Sequence, residues 1–236
     1  MNSKIILIAV LALLLFSSCK KTIYSEREKS LFINPVFGND ISLDTIHRLE
    51  DLIIVFDRIY CEDKSADKWP VLYFDMEQKE WVNPKTGKNI IALGIEPSPC
   101  PDMMFEYDYS RILEVVKDGY NLEVEEVRVE PDSLTSYISK QYLNYGKDPV
   151  YSASPADNGI WLITNKDDKL TNLNKYIAQI IDGYVIMARQ YSLIHYQKSL
   201  DDLTDTEFQE LKTTLAFHLS FKYSDKPPQI INGLML

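Results

Sequence analysis

Two short stretches carry the residue types of serine acyl-transfer chemistry. Ser65-Ala66-Asp67-Lys68 fits S-x-x-K, and Lys85-Thr86-Gly87 fits K-T-G. That chemistry places the serine at a helix start, an S-D-N element beyond it, and the K-T-G on a strand much further along the chain. Here the two motifs stand about twenty residues apart, the K-T-G falls in a stretch of turn composition, and the sequence holds no S-D-N. A chain rich in serine and lysine produces one S-x-x-K by chance, so the sequence reads as a non-enzyme with no catalytic residue. None of the three histidines, His47, His195 and His218, stands at helical ligand spacing from another, so no metal site and no cofactor are implied. The pairs Asp167-Asp168 and Asp201-Asp202 fall where turns and caps favour acids, and read as solvated loop positions. Tyr137, Tyr142, Tyr145 and Tyr151 with Trp161 have two readings, an aromatic ligand surface or core.

The cysteines say more. An apolar run of 12 residues, Ile5 to Phe16, follows Lys4 and precedes Ser17, Ser18 and Cys19. That is well short of the roughly 20 residues that cross hydrocarbon, and the order of charge, apolar run and small residues is that of a secretory signal. Leu15-Phe16-Ser17-Ser18-Cys19 resembles the lipobox of bacterial lipoprotein precursors. The resemblance implies a signal peptide over residues 1–18, a lipid on Cys19, and a mature chain lipid-anchored to a membrane of the bacterial cell envelope. The alternatives are an ordinary signal or a short uncleaved anchor. Lys20-Lys21 supplies no acidic surface-export cue, which favours a periplasm-facing domain. In an oxidising compartment Cys61 and Cys100 are a candidate disulfide, with two buried thiols as the alternative. Closing a loop of about 40 residues would stabilise by roughly 4 kcal/mol through loop-closure entropy.

The elements around these residues belong to a folded chain. Hydrophobic residues make up 45% of it and tyrosines number 15, enough apolar surface to offset ordering entropy. A net charge of −10 disfavours nucleic acid and anionic headgroups as partners. Residues 20–40 show no period and read as a solvated tether. Leu43, Ile46, Leu49, Leu52, Ile53, Phe56, Ile59 and Tyr60 recur at helical spacing behind Ser42, predicting a helix over 43–60. Short strands are predicted within 71–93, and Pro97, Pro99 and Pro101 mark a boundary. This gives a tether plus N-terminal α/β region over 19–101 and a second domain over 102–236. In the second, Asp118-Gly119 predicts a hairpin, and Asp132 or Ser133 caps a helix that ends at Gly146. Ile160–Ile163 reads as a buried strand, 172–196 as a long helix, Thr204–Glu207 as a capping box, and 217–223 as a half-buried strand. That order predicts an α+β fold, a small mixed sheet with helices packed on one face.

The stretches Arg111–Pro149, Gly159–Val185 and Lys198–Lys212 follow one another in an order that resembles the periplasmic domain of the biopolymer-transport ExbD/TolR family. The resemblance covers Arg111 to Pro227 and implies action by binding, as an accessory or scaffold in an envelope transport assembly, with an envelope protein or a second copy as partner. Members of that family also carry an aspartate on a transmembrane helix. Here no acid lies between Ile5 and Phe16, so no residue takes that role. The alternative function is a stand-alone ligand- or protein-binding lipoprotein, such as a surface binding module or an immunity protein.

Overall fold

A computed structural model describes residues 24–33, 37–62, 69–83, 89–96, 112–119, 121–156, 158–224, 230–231 and 234–235. The apolar run at 5–16 and Cys19 lie outside them. So do the proline boundary at 97–101, Cys100, and both serine-enzyme motifs.

The described chain opens with structure where a tether is expected. The Ser25 hydroxyl accepts from the Glu28 N–H at 3.2 Å, and the Glu28 carboxylate accepts from the Ser25 N–H at 2.9 Å, a capping box that starts helix α1 (Glu26–Ser30). Leu31 and Phe32 then turn into the core. Burying each stabilises by roughly 2 kcal/mol, enough to dock a short segment that aperiodic composition alone leaves unassigned.

Strand β1 (Phe37–Asp40) runs parallel to β2 (Trp69–Asp75). Between them lies helix α2 (Leu49–Asp57), continued by a π-turn at Arg58–Glu62. The helix starts six residues later than the apolar period suggests, because the backbone before it pairs elsewhere. Asn83 Oδ1 accepts the Leu43 N–H at 2.7 Å, the His47 carbonyl accepts from Leu170 at 3.0 Å, and Arg48 bridges to Lys169. The Asp51 carboxylate accepts the N–H groups of His47 and Arg48, which fixes the new helix start. Strands β3 (Glu80–Val82) and β4 (Ile90–Gly94) pair antiparallel with β2 and complete a four-stranded sheet.

The second sheet runs, edge to edge, through residues 127–129, 121–124, 112–118, 159–164 and 219–223. Strands β5 (Ile112–Asp118), β6 (Asn121–Val124) and β7 (Val127–Val129) form antiparallel hairpins, while β8 (Gly159–Thr164) lies parallel to both β5 and β9 (Leu219–Tyr223). The sheet is therefore mixed. Leu113, Val115, Leu122, Val124, Ile160 and Leu162 are buried on one face by the period of two. Helices α3 (Leu134–Leu143) and α4 (Leu170–His195) pack together over the core, and α5 (Asp205–Thr214) leads back to β9. The Thr204–Glu207 capping box forms as its sequence predicts.

The α+β class holds; besides the two-stranded pair Ile230–Ile231 with Leu234–Met235, the described residues form two larger sheets in place of one. They meet where Ile95 bridges Leu219 and the Glu96 N–H donates to the Leu219 carbonyl at 2.8 Å, so a single cluster of buried apolar residues runs from Tyr24 to Phe221.

Candidate binding cleft

The alternation of β5 places Leu113, Val115 and Lys117 on its buried side. A lysine at an inward position requires a buried partner, and the structure supplies one from the end of the neighbouring parallel strand. Lys117 Nζ lies 2.7 Å from Asp168 Oδ2, with side-chain exposures of 7% and 17%, and the buried Thr164 hydroxyl donates to the same carboxylate oxygen. Asp168 also closes the β8–α4 turn, its N–H donating to the Asn165 carbonyl at 3.0 Å. The acidic pair read as solvated is thus split: Asp167 is exposed, with Arg48 3.4 Å away, while Asp168 is part of a buried polar floor. The signal available in the sequence was the parity of Lys117.

Above this floor opens a cavity of about 760 Å³, outside the carboxyl ends of β5 and β8. Crevices in that position are where sheets with parallel strands commonly bind ligands. Three lysines (Lys79, Lys117, Lys175) and three aspartates (Asp118, Asp167, Asp168) line it, so their formal charges cancel. Asn165, Asn172 and Asn174 add amides. A second cavity of about 580 Å³ shares Thr171 and Asn174 with the first and presents Trp81, Ile46, Leu170 and Arg48. In the walls of this pair of cavities two polar atoms stand buried without a hydrogen-bond partner among the described residues, the donor Trp81 Nε1 and the acceptor Asn174 Oδ1. Leaving such groups unpaired costs about 1–3 kcal/mol each.

The other candidates are dispersed. His47 borders the smaller cavity. His195 stacks on Tyr191 with ring centroids 4.0 Å apart and shares a 2.8 Å hydrogen bond with Tyr145. His218 lies 3.9 Å from Glu96, and burial holds its pKa below the usual imidazole value against the pull of that carboxylate. Among the described residues no three potential metal ligands cluster. The aromatic residues do not form one surface. Tyr142 is core, edge-on to Tyr184; Tyr137 and Tyr151 flank Lys140; and Trp161 carries Lys222 over its ring at 4.9 Å on the other face of the sheet. Burial lowers the pKa of that lysine, opposed by Glu96 and Asp57. Cys61 is disulfide-bonded.

Comparison of the chain with known protein families, with curated proteins and with solved structures finds no match. No helix of the described residues is long and apolar enough to cross a membrane.

Proposed function

We propose that the chain is a non-enzymatic binding protein of the bacterial envelope, lipid-anchored through Cys19 and facing the periplasm, that captures a small polar ligand in the cleft. The observation that carries this reading is the pair of unpartnered buried atoms, Trp81 Nε1 and Asn174 Oδ1. Ligand hydroxyls and amides both donate and accept, the two roles these atoms leave open. The balance of three lysines against three aspartates suits a ligand of no net charge. Lys117, Asp168 and Thr164 bond to one another, which fits a rigid floor for recognition.

A second reading is an accessory or scaffold in an envelope transport assembly. It is supported by the element order from β5 to β9, which follows what the ExbD/TolR resemblance implies. A strip of exposed apolar residues at the end of α4, Leu193 at 59% and Ile194 at 63%, also supports it.

A photo-crosslinking residue placed at Lys175, on the cleft rim, tests both in living cells. Capture in the cleft gives a small-molecule adduct that is lost in Trp81→Phe and Asn174→Leu. An adduct with an envelope channel protein supports the scaffold instead. No adduct, or one indifferent to both substitutions, overturns the cleft as the binding site.

A further inference from the structure

The docked N-terminal segment limits how far the body can stand from its anchor. Tyr24 is 7% exposed, and its hydroxyl donates to Asp182 in the middle of α4. Glu28 takes a 2.6 Å bond from Arg189 two turns further on, and Arg27 reaches Asp205 at 2.8 Å. Phe32 packs between the rings of Tyr184 and Phe217, at centroid distances of 5.3 and 5.0 Å. The chain is therefore fixed to the α4 side from Tyr24 onward. Five peptide steps separate Cys19 from Tyr24, and whatever their conformation they span at most about 18 Å. A folded body of roughly 210 residues is about 45 Å across.

We infer that the docked segment Tyr24–Phe32, joined to Cys19 by five peptide steps, makes a short leash that holds the α4 side of the domain against the surface of the lipid bilayer. The inference rests on acylation of Cys19, the anchor of the proposed function. A leash much shorter than the body's diameter prevents free tumbling, so one side faces the headgroups and the sheet face bearing Glu123 and Trp161 faces away. The cleft belongs to the near side. Lys79 lies on its rim and 3.8 Å from Asp182, the same carboxylate that receives Tyr24, and Lys175 stands about 10 Å from Asp182 along α4. The partner that this side fits is the bilayer itself, and the cleft opens along its surface.

The test uses the acylated full-length protein in zwitterionic vesicles containing a nitroxide-headgroup lipid. A fluorophore is attached through Ile186→Cys, one turn from Asp182, or through Glu123→Cys on the opposite sheet face. Quenching at position 186 is expected to exceed that at 123 at least threefold, and a 20-residue Gly/Ser insertion between Thr22 and Ile23 should erase the difference. Equal quenching at the two positions, in protein that floats with vesicles and whose mass shows an acylated Cys19, overturns the leash alone. Protein that does not float and carries an unmodified Cys19 overturns the anchor and the leash with it.

Discussion

Lys117 and Asp168 are largely withdrawn from solvent at the floor of the cleft and depend on one another, so removing either leaves a poorly solvated charge without its partner. Asp168→Ala is expected to lower stability by about 3 kcal/mol in urea unfolding, and the double change Lys117→Met with Asp168→Leu should recover most of it. Glu207 offers a pH readout. Its ion pair with Lys198 at 2.7 Å, and after that its bonds from Thr204, depress its carboxyl pKa from 4.5 to about 2. A carboxyl depressed in the folded state stabilises above its unfolded pKa, and that contribution fades as pH falls from 4.5 toward about 2. Thermal melts should therefore show the wild type exceeding Glu207→Gln at neutral pH, with the gap closing across that window. A third residue-level case is the β6–β7 turn, where Glu125 and Glu126 both take positive φ, 51° and 63°. Side-chain-bearing residues pay for that conformation, so Glu126→Gly should stabilise by about 1 kcal/mol in the same unfolding assay.

At the scale of elements, α3 and α4 approach closely because Gly183 has no side chain. A Cβ there would stand 2.7 Å from Ile138 Cδ1 and 3.1 Å from the Thr135 Cα. The isoleucine tip can turn away; the backbone of α3 cannot. Gly183→Val should cost about 2–3 kcal/mol in chemical denaturation, whereas in Gly183→Ala a helix-propensity gain of about 1 kcal/mol offsets much of the strain. Elements with strong local signals were legible in the sequence: the Asp118-Gly119 hairpin, the long helix with its apolar stripe, and the Thr204–Glu207 box. What escaped depends on long-range pairing. The start of α2 is displaced by contacts with Lys169 and Leu170 more than a hundred residues away, and β1 joins β2 without an alternating pattern to announce it. The second hairpin turn was hidden because its two glutamates carry no turn signature. The cleft was legible only in part. The parity of Lys117 with Leu113 and Val115 was a usable signal that went unread, and that Trp81 and Asn174 line one cavity follows from packing β3 against α4, which no local pattern encodes.

For the whole molecule, the joined sheets hold the cleft and the docked segment Tyr24–Phe32 in one body, which the proposed acylation of Cys19 would carry close to a membrane. The disulfide at Cys61 belongs to this scale, since Cys100 is the one other cysteine left once Cys19 is given to the lipid. Peptide mapping under non-reducing conditions should recover a Cys61–Cys100 crosslinked pair, and Cys61→Ser should lose up to roughly 4 kcal/mol of stability. The membrane-facing orientation and the proposed place of action both depend on the anchor, and one measurement addresses it most directly: the intact mass of the mature protein extracted from membranes. The expected species is a chain beginning at an acylated Cys19 and lighter by two hydrogen atoms for the disulfide. A chain that retains residues 1–18, or one that begins elsewhere with Cys19 unmodified, would contradict the anchor.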